Sequence, residues 1–144
     1  MIRKAESKDL YILSELACRL WPDHTVEEMC SEFADMIAKP DAVFFLAYAD
    51  ETAVGFTQCQ LRHDYVEGTD SSPVGYLEGI YVADGYRKQG IARELLSACE
   101  GWAKEKGCTE FASDCELENT QSLQFHLNVG FEEANRIICF TKKI

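Results

Sequence analysis

Two carboxylates stand where this sequence otherwise reads as strand. Glu78 interrupts the run Val74-Gly75-Tyr76-Leu77-Glu78-Gly79-Ile80-Tyr81-Val82, and Asp114 lies near the end of the run Glu110 to Cys115. A carboxylate among aromatic and β-branched strand residues faces either solvent or a polar cavity. In a cavity it serves as a general base or as the partner of a cation. Another kind of chemistry lies just downstream, where Arg87-x-x-Gly90-x-Ala92 opens a helix. Small residues in a first helical turn let a ligand approach the backbone, and the free N–H groups and positive dipole end there favour phosphate. Lys88, Gln89, Gly90, Ile91 and Ala92 are therefore candidates for an anion site. The same residues also suit an ordinary basic helix start, with Arg87 and Lys88 a solvated pair.

These residues need elements to hold them. Ile2 to Ala5 reads as a short edge strand. Ser7 caps a helix carrying Leu10, Leu13, Leu16, Ala17 and Leu20, which Trp21-Pro22 ends. Thr25-Val26-Glu27-Glu28 is a capping-box pattern for a second helix through Met29, Phe33, Met36 and Ile37. Val43 to Ala49 and Ala53 to His63 form a hairpin about Asp50-Glu51-Thr52, and Asp64 to Pro73 is a polar loop. The strand Tyr76 to Val82, the turn Asp84-Gly85 and the helix closed by Gly107 follow. Then come a strand from Glu110 to Cys115 and a shorter helix from Asn119 to Gly130. Phe131 to Lys143 is expected to end the chain as extended structure. The order predicts one domain over residues 1–144, with a mixed α/β sheet, antiparallel first and parallel in the middle.

Composition narrows the partners. Of 144 residues, 25 are acidic and 14 basic, a net charge of −11. Such a chain is a poor partner for nucleic acid or acidic membranes and suits a cationic substrate. No apolar run reaches the roughly 18 residues of a membrane span, and no apolar core of a secretion signal opens the chain. Seven cysteines without C-x-x-C pairs read as small buried hydrophobes in a reducing cytoplasm, with no metal implied.

A second motif sharpens this. Asn119, then Phe125-His126-Leu127-Asn128-Val129-Gly130-Phe131, resembles the Asn…Leu-Tyr-x-x-x-Gly-Phe pattern of the GNAT acetyltransferase superfamily. Arg87-x-x-Gly90-x-Ala92 resembles that superfamily's acyl-CoA pyrophosphate loop. Further stretches resemble the small aminoglycoside 6′-N-acetyltransferases: Leu20-Trp21-Pro22-x-His24, Arg62 to Val66 with Asp70 to Pro73, Leu77 to Ile80, Ala112 to Asp114, and Glu118 to Thr120. The resemblance implies a GNAT fold and acetyl transfer from acetyl-CoA to the 6′-amine of an aminoglycoside. It also implies a cytoplasmic homodimer that confers resistance to these antibiotics.

Acetyl transfer to an amine requires that the thioester be held, its carbonyl polarised, the amine deprotonated and the thiolate protonated. The resemblance puts the pantetheine arm between the strands Tyr76–Val82 and Glu110–Cys115, pairing with the backbone of Ile80, Tyr81 and Val82 as a third strand would. An N–H at the centre of that strand then serves as an oxyanion donor, and Gly79 suits a bulge that splays the strand. The resemblance also assigns Arg87 to Ala92 and Asn119 to the cofactor, although Asn119 reads equally as a plain N-cap. Glu78 and Asp114 become catalytic or substrate carboxylates, and Trp21, His24, Tyr65 and Asn135 match substrate-side positions. Trp21 also reads as a helix-end core residue. Two departures stand out. His126 falls where the superfamily's tyrosine acid stands, and a helix histidine is more often structural. Asn135 replaces an acid that some relatives supply from the dimer partner. Two other readings stay open: a GNAT enzyme for another small amine such as a polyamine, and a silent acyl-CoA sensor.

Overall fold

The two long apolar runs fold back on each other as the turn between them requires. In the computed structural model, which describes residues 1–144, β2 (Ala42–Ala49) and β3 (Thr52–Arg62) form the antiparallel hairpin. Asp50 turns it at a φ of 53°, a left-handed conformation that Asp tolerates. β1 (Ile2–Lys4) adds an antiparallel edge to β2, and β4 (Val74–Val82) pairs antiparallel with β3. β5 (Phe111–Ser113) lies parallel to β4, so the five strands stand in the order β1-β2-β3-β4-β5.

Helices cover both faces because the strands bury both. On one face α1 (Leu10–Leu20) and α2 (Val26–Ile37) put Leu13, Leu16, Met29 and Phe33 onto Phe44, Leu46 and Phe56. On the other, α3 (Ile91–Glu105) brings Leu95, Cys99 and Trp102 against Val43, Val54, Cys59 and Val82. α3 is also the crossover that a parallel β4–β5 pair requires. α4 (Thr120–Asn128) follows β5, and the Asn128 carbonyl accepts from Arg93 of α3 at 3.1 Å.

An ion pair ties the first strand to the first helix. Arg3 donates to both oxygens of Asp9 at 2.8 and 2.7 Å, and the Tyr48 hydroxyl takes another of its N–H groups at 3.0 Å. Asp9 also accepts from the Glu6 N–H at 2.8 Å. Its carboxyl is held below the ordinary Asp value, chiefly by the hydrogen bond from Arg3.

Ser7 does not cap α1; it opens a short 3-10 turn (Ser7–Asp9), and Asp9 stands at the N-cap of the helix. Two expected strands also fall short. β5 is three residues long rather than six, and Glu110 instead accepts from the Asp70 N–H and the Ser71 hydroxyl of the preceding loop. Phe131 to Lys143 forms no strand. Phe131 packs its ring 6.1 Å from Phe111, and the chain then leaves the sheet with Ile137, Ile138 and Phe140 exposed. A strand forms only against a partner edge, and within one chain the three-residue β5 offers a short one. No helix is long and apolar enough to cross a membrane.

Candidate active site

The site begins with a flaw in β4. Gln58 pairs with Gly79 and Cys59 with Leu77, so Glu78 is the extra residue of a β-bulge. The bulge resets the alternation. Tyr76 stands opposite Gln60 and Gly79 opposite Gln58, so residues on both sides of Glu78 address the α1/α2 face. Gly79 has to be glycine there. A Cβ on it would stand 2.6 Å from the Trp21 ring, which packs against the bulge at the end of α1. The Trp21 ring also meets Phe56 edge-on at 6.1 Å. Trp21 therefore packs on the core as a helix-end residue and also meets the bulge at Gly79. On the opposite side of the sheet the Thr57 hydroxyl donates to the Gly79 carbonyl at 2.9 Å and pins the bulge.

A chain of polar contacts runs from this flaw to the end of β5. Arg62, the last residue of β3, donates Nε to Glu78 Oε1 at 3.0 Å and Nη2 to Oε2 at 2.8 Å. Its guanidinium lies 3.5 Å from the centroid of Tyr76. The Tyr76 hydroxyl donates a short hydrogen bond to Asp114. Burial, reinforced by that bond to Asp114, pushes the Tyr76 phenol up from its ordinary value, so it remains a donor. The two carboxylates singled out in the sequence are thus joined through Arg62 and Tyr76, neither of which had been assigned a role. The signal was available: Val74, Tyr76 and Glu78 alternate on one strand, and Arg62 sits in the facing strand with no other reason to interrupt it.

Beyond the bulge the sheet opens. β5 pairs with Gly75, Tyr76 and Leu77 and then stops, while β4 runs on to Val82 with no strand on that edge. Ile80, Tyr81 and Val82 line the gap with their backbone. The Val82 carbonyl is the exception, because Arg87 Nε donates to it at 2.8 Å. Arg87 also pairs with Asp84 at 2.9 Å, so this cation braces the end of β4.

Below the gap lies the start of α3. Lys88 has a φ of 61° and Gly90 a φ of 87°, two left-handed residues that wrap the loop around its own N–H groups. No atom lies within 4 Å of where a Gly90 Cβ would be, so the glycine answers to the backbone conformation and not to crowding. Glu94 N–H bonds the Gly90 carbonyl, whereas nothing within the helix takes the N–H groups of its first turn. Gln89 reaches the Gly85 carbonyl at 3.4 Å. Asn119 caps α4 by accepting the Ser122 N–H at 3.0 Å.

The other predicted residues stand in separate contacts. Tyr65 is exposed and its hydroxyl donates to Glu67, which also accepts from Asn135 Nδ2 at 3.2 Å. His24 lies 3.3 Å from Glu28 at the start of α2, which keeps that glutamate from closing the expected capping box. His126 reaches the sheet from the face opposite Asp114, because it bonds Ser113 while Ala112 and Asp114 alternate to the other side. Its Nδ1 donates to the Ser122 carbonyl at 2.7 Å, and its Nε2 lies 2.8 Å from the Ser113 hydroxyl. No group of three His, Cys, Asp or Glu side chains comes together as metal ligands would.

Residues 8–131 match the family described as the acetyltransferase (GNAT) family. The chain belongs to it. An aminoglycoside N(6′)-acetyltransferase type 1 of Salmonella enteritidis is 39% identical to this chain, covering 99% of it and 98% of the relative. One of the same name from Acinetobacter haemolyticus is 40% identical over 99% and 98% of the two chains. Among solved structures, AAC(6′)-Iy in complex with the bisubstrate analogue CoA-S-monomethyl-acetylneamine superposes with a TM-score of 0.96 at 39% identity, covering 100% of this chain and 98% of that one.

Proposed function

We propose that this GNAT protein is an aminoglycoside 6′-N-acetyltransferase that takes acetyl from acetyl-CoA. The observation that carries the reading is the joined pair of carboxylates beside the gap in the sheet. An anionic patch next to an open strand edge suits a polycationic acceptor and an extended acyl donor.

In this reading the Lys88–Ala92 loop holds the pyrophosphate through its N–H groups, and the amide side chain of Asn119 is left to face the cofactor while its oxygen caps α4. The pantetheine arm lies along Ile80, Tyr81 and Val82 and completes the sheet. An N–H of this segment polarises the thioester carbonyl. Glu78 takes the proton from the acceptor ammonium as the free amine attacks, and Asp114 holds a second ammonium. Trp21 borders the sugar, and Tyr65, Glu67 and Asn135 extend the acceptor side. The displaced thiolate takes its proton from solvent. His126 is left out of that step because both of its ring nitrogens are already engaged with serines of the fold. The whole chain, residues 1–144, forms one catalytic domain, works in the cytoplasm, and pairs with a second copy. The exposed Ile137, Ile138 and Phe140 support that pairing.

Regiochemistry tests the reading. A free amine attacks a thioester readily, whereas a hydroxyl needs stronger activation than one carboxylate supplies. Incubation with acetyl-CoA and a panel of 6′-amino and 6′-hydroxy aminoglycosides, followed by mass spectrometry, should give acetylation at the 6′-amine only. The 6′-hydroxy drugs should bind and compete without turnover. Acetylation at another ring amine, or turnover of polyamines alone, would overturn it.

A further inference from the structure

Arg62 is out of place for a site that binds cations. Its guanidinium makes with Glu78 the contacts a substrate ammonium would make, at 3.0 and 2.8 Å, and so takes both carboxylate oxygens. Glu78 is largely enclosed, its side chain 17% exposed, whereas that of Arg62 is 43% exposed. The cation can therefore leave for solvent while the carboxylate stays. Nothing else holds it: the guanidinium makes no further hydrogen bond and otherwise only rests on the Tyr76 ring.

We propose that Arg62 is an internal competitor for the acceptor, occupying Glu78 until a substrate ammonium displaces it, and so sets how much affinity an acceptor must supply through its other ammonium groups. The inference rests on the acceptor reading given above. Its logic is one of exchange. An acceptor with one ammonium replaces one cation on Glu78 by another and gains little, because it forfeits the two-pronged bond and the stacking that Arg62 made. An acceptor with several ammonium groups makes the same exchange and adds contacts to Asp114 and to Asp64, Glu67 and Asp70 of the acidic loop. Arg62 thus lowers affinity for every acceptor but leaves only the polycations with a net gain. A guanidinium that merely oriented Glu78 would act oppositely, since its loss would weaken all acceptors together.

The test compares an aminoglycoside such as kanamycin with 6-amino-6-deoxyglucose, which carries the reacting amine and no other. Dissociation constants are measured by calorimetry, and kcat and KM at saturating acetyl-CoA, for the parent, Arg62→Gln and Arg62→Lys. Both acceptors displace the same cation, so Arg62→Gln should tighten the monoamine and the aminoglycoside alike, each about tenfold, the worth of a charged hydrogen bond. Arg62→Lys, which keeps the charge but not the fork, should fall between and serves alone if the glutamine variant does not fold. Unchanged or weaker binding of the two acceptors by Arg62→Gln overturns the proposal. Because the tightening is read from binding, it stands apart from the acceptor reading, which fails if the parent binds kanamycin but acetylates no aminoglycoside.

Discussion

Arg3 with Asp9 and Arg62 with Glu78 each join a guanidinium fork to a carboxylate beside a tyrosine ring. The ring centroid lies 5.0 Å from the guanidinium in the Tyr48 case and 3.5 Å in the Tyr76 case. They differ in what else each partner does. Asp9 takes a third bond from the Glu6 N–H, and Arg3 gives further ones to the Tyr48 hydroxyl and the Lys4 carbonyl. Glu78 and Arg62 bond only each other. A pair woven into backbone on both sides fixes the geometry of a fold. A pair whose cation has no other hydrogen bond and stands partly in solvent keeps a carboxylate in place while leaving its cation exchangeable.

Three experiments press on this contrast. The largest effect is expected at the open pair. Glu78→Gln, and likewise Asp114→Asn, should lower kcat/KM for an aminoglycoside about tenfold to a hundredfold, with acetyl-CoA affinity and melting temperature close to the parent. Parent-like kinetics in both variants would remove these carboxylates from the chemistry.

Asp9→Asn should do the reverse. It should destabilise the protein by about 1–2 kcal/mol, while the folded enzyme keeps kcat/KM within about twofold. The effect carries a sign in pH. Asp9 titrates lower in the folded protein than in the unfolded chain, so its contribution is fully present above the unfolded value near 3.9. It is lost as pH falls through the folded value. Urea titrations should therefore show a constant gap between parent and variant around neutrality, closing below about pH 4. A gap that stays open in acid would show that shape, not charge, makes the Arg3 pair structural.

The smallest effect is expected at His126, a third polar group closed on its neighbours. His126→Phe should keep kcat within about threefold, whereas loss of a general acid costs ~10²–10⁴-fold. A loss of that size at unchanged melting temperature would put His126 into the reaction.

The sequence was a good guide to local order. Runs rich in aromatic and β-branched residues between turn signals marked β2 to β4, and Thr25 and Asn119 marked helix starts, because these signals live within a few residues. It was a poor guide to the tail, since Phe131 to Lys143 has strand-like composition but β5 offers it an edge of only three residues. At the site, motif residues named Glu78 and Asp114 but not the groups between them. Arg62 and Tyr76 meet only across the β3–β4 register, and the bulge that brings them to Glu78 is invisible until that register is known. Gly79 was read as a splaying bulge. Its contact with Trp21 depends on where α1 ends over the sheet, which no local pattern encodes.

The open stretch of β4 has a consequence for the protein's behaviour in a crowded solution. From Glu78 to Val82 the strand faces the gap with no neighbouring strand. Such an edge is a template for any extended polypeptide, including a nascent chain or another molecule's tail. Blunting devices of the usual kind are few here: the stretch holds no proline or lysine, and its one charge, Glu78, is turned to Arg62. A pantetheine arm lying in the gap would cap that edge with its own amides, so the acetyl donor would double as a guard against aggregation. Purified without it, the protein should be harder to keep in solution than its net charge of −11 suggests.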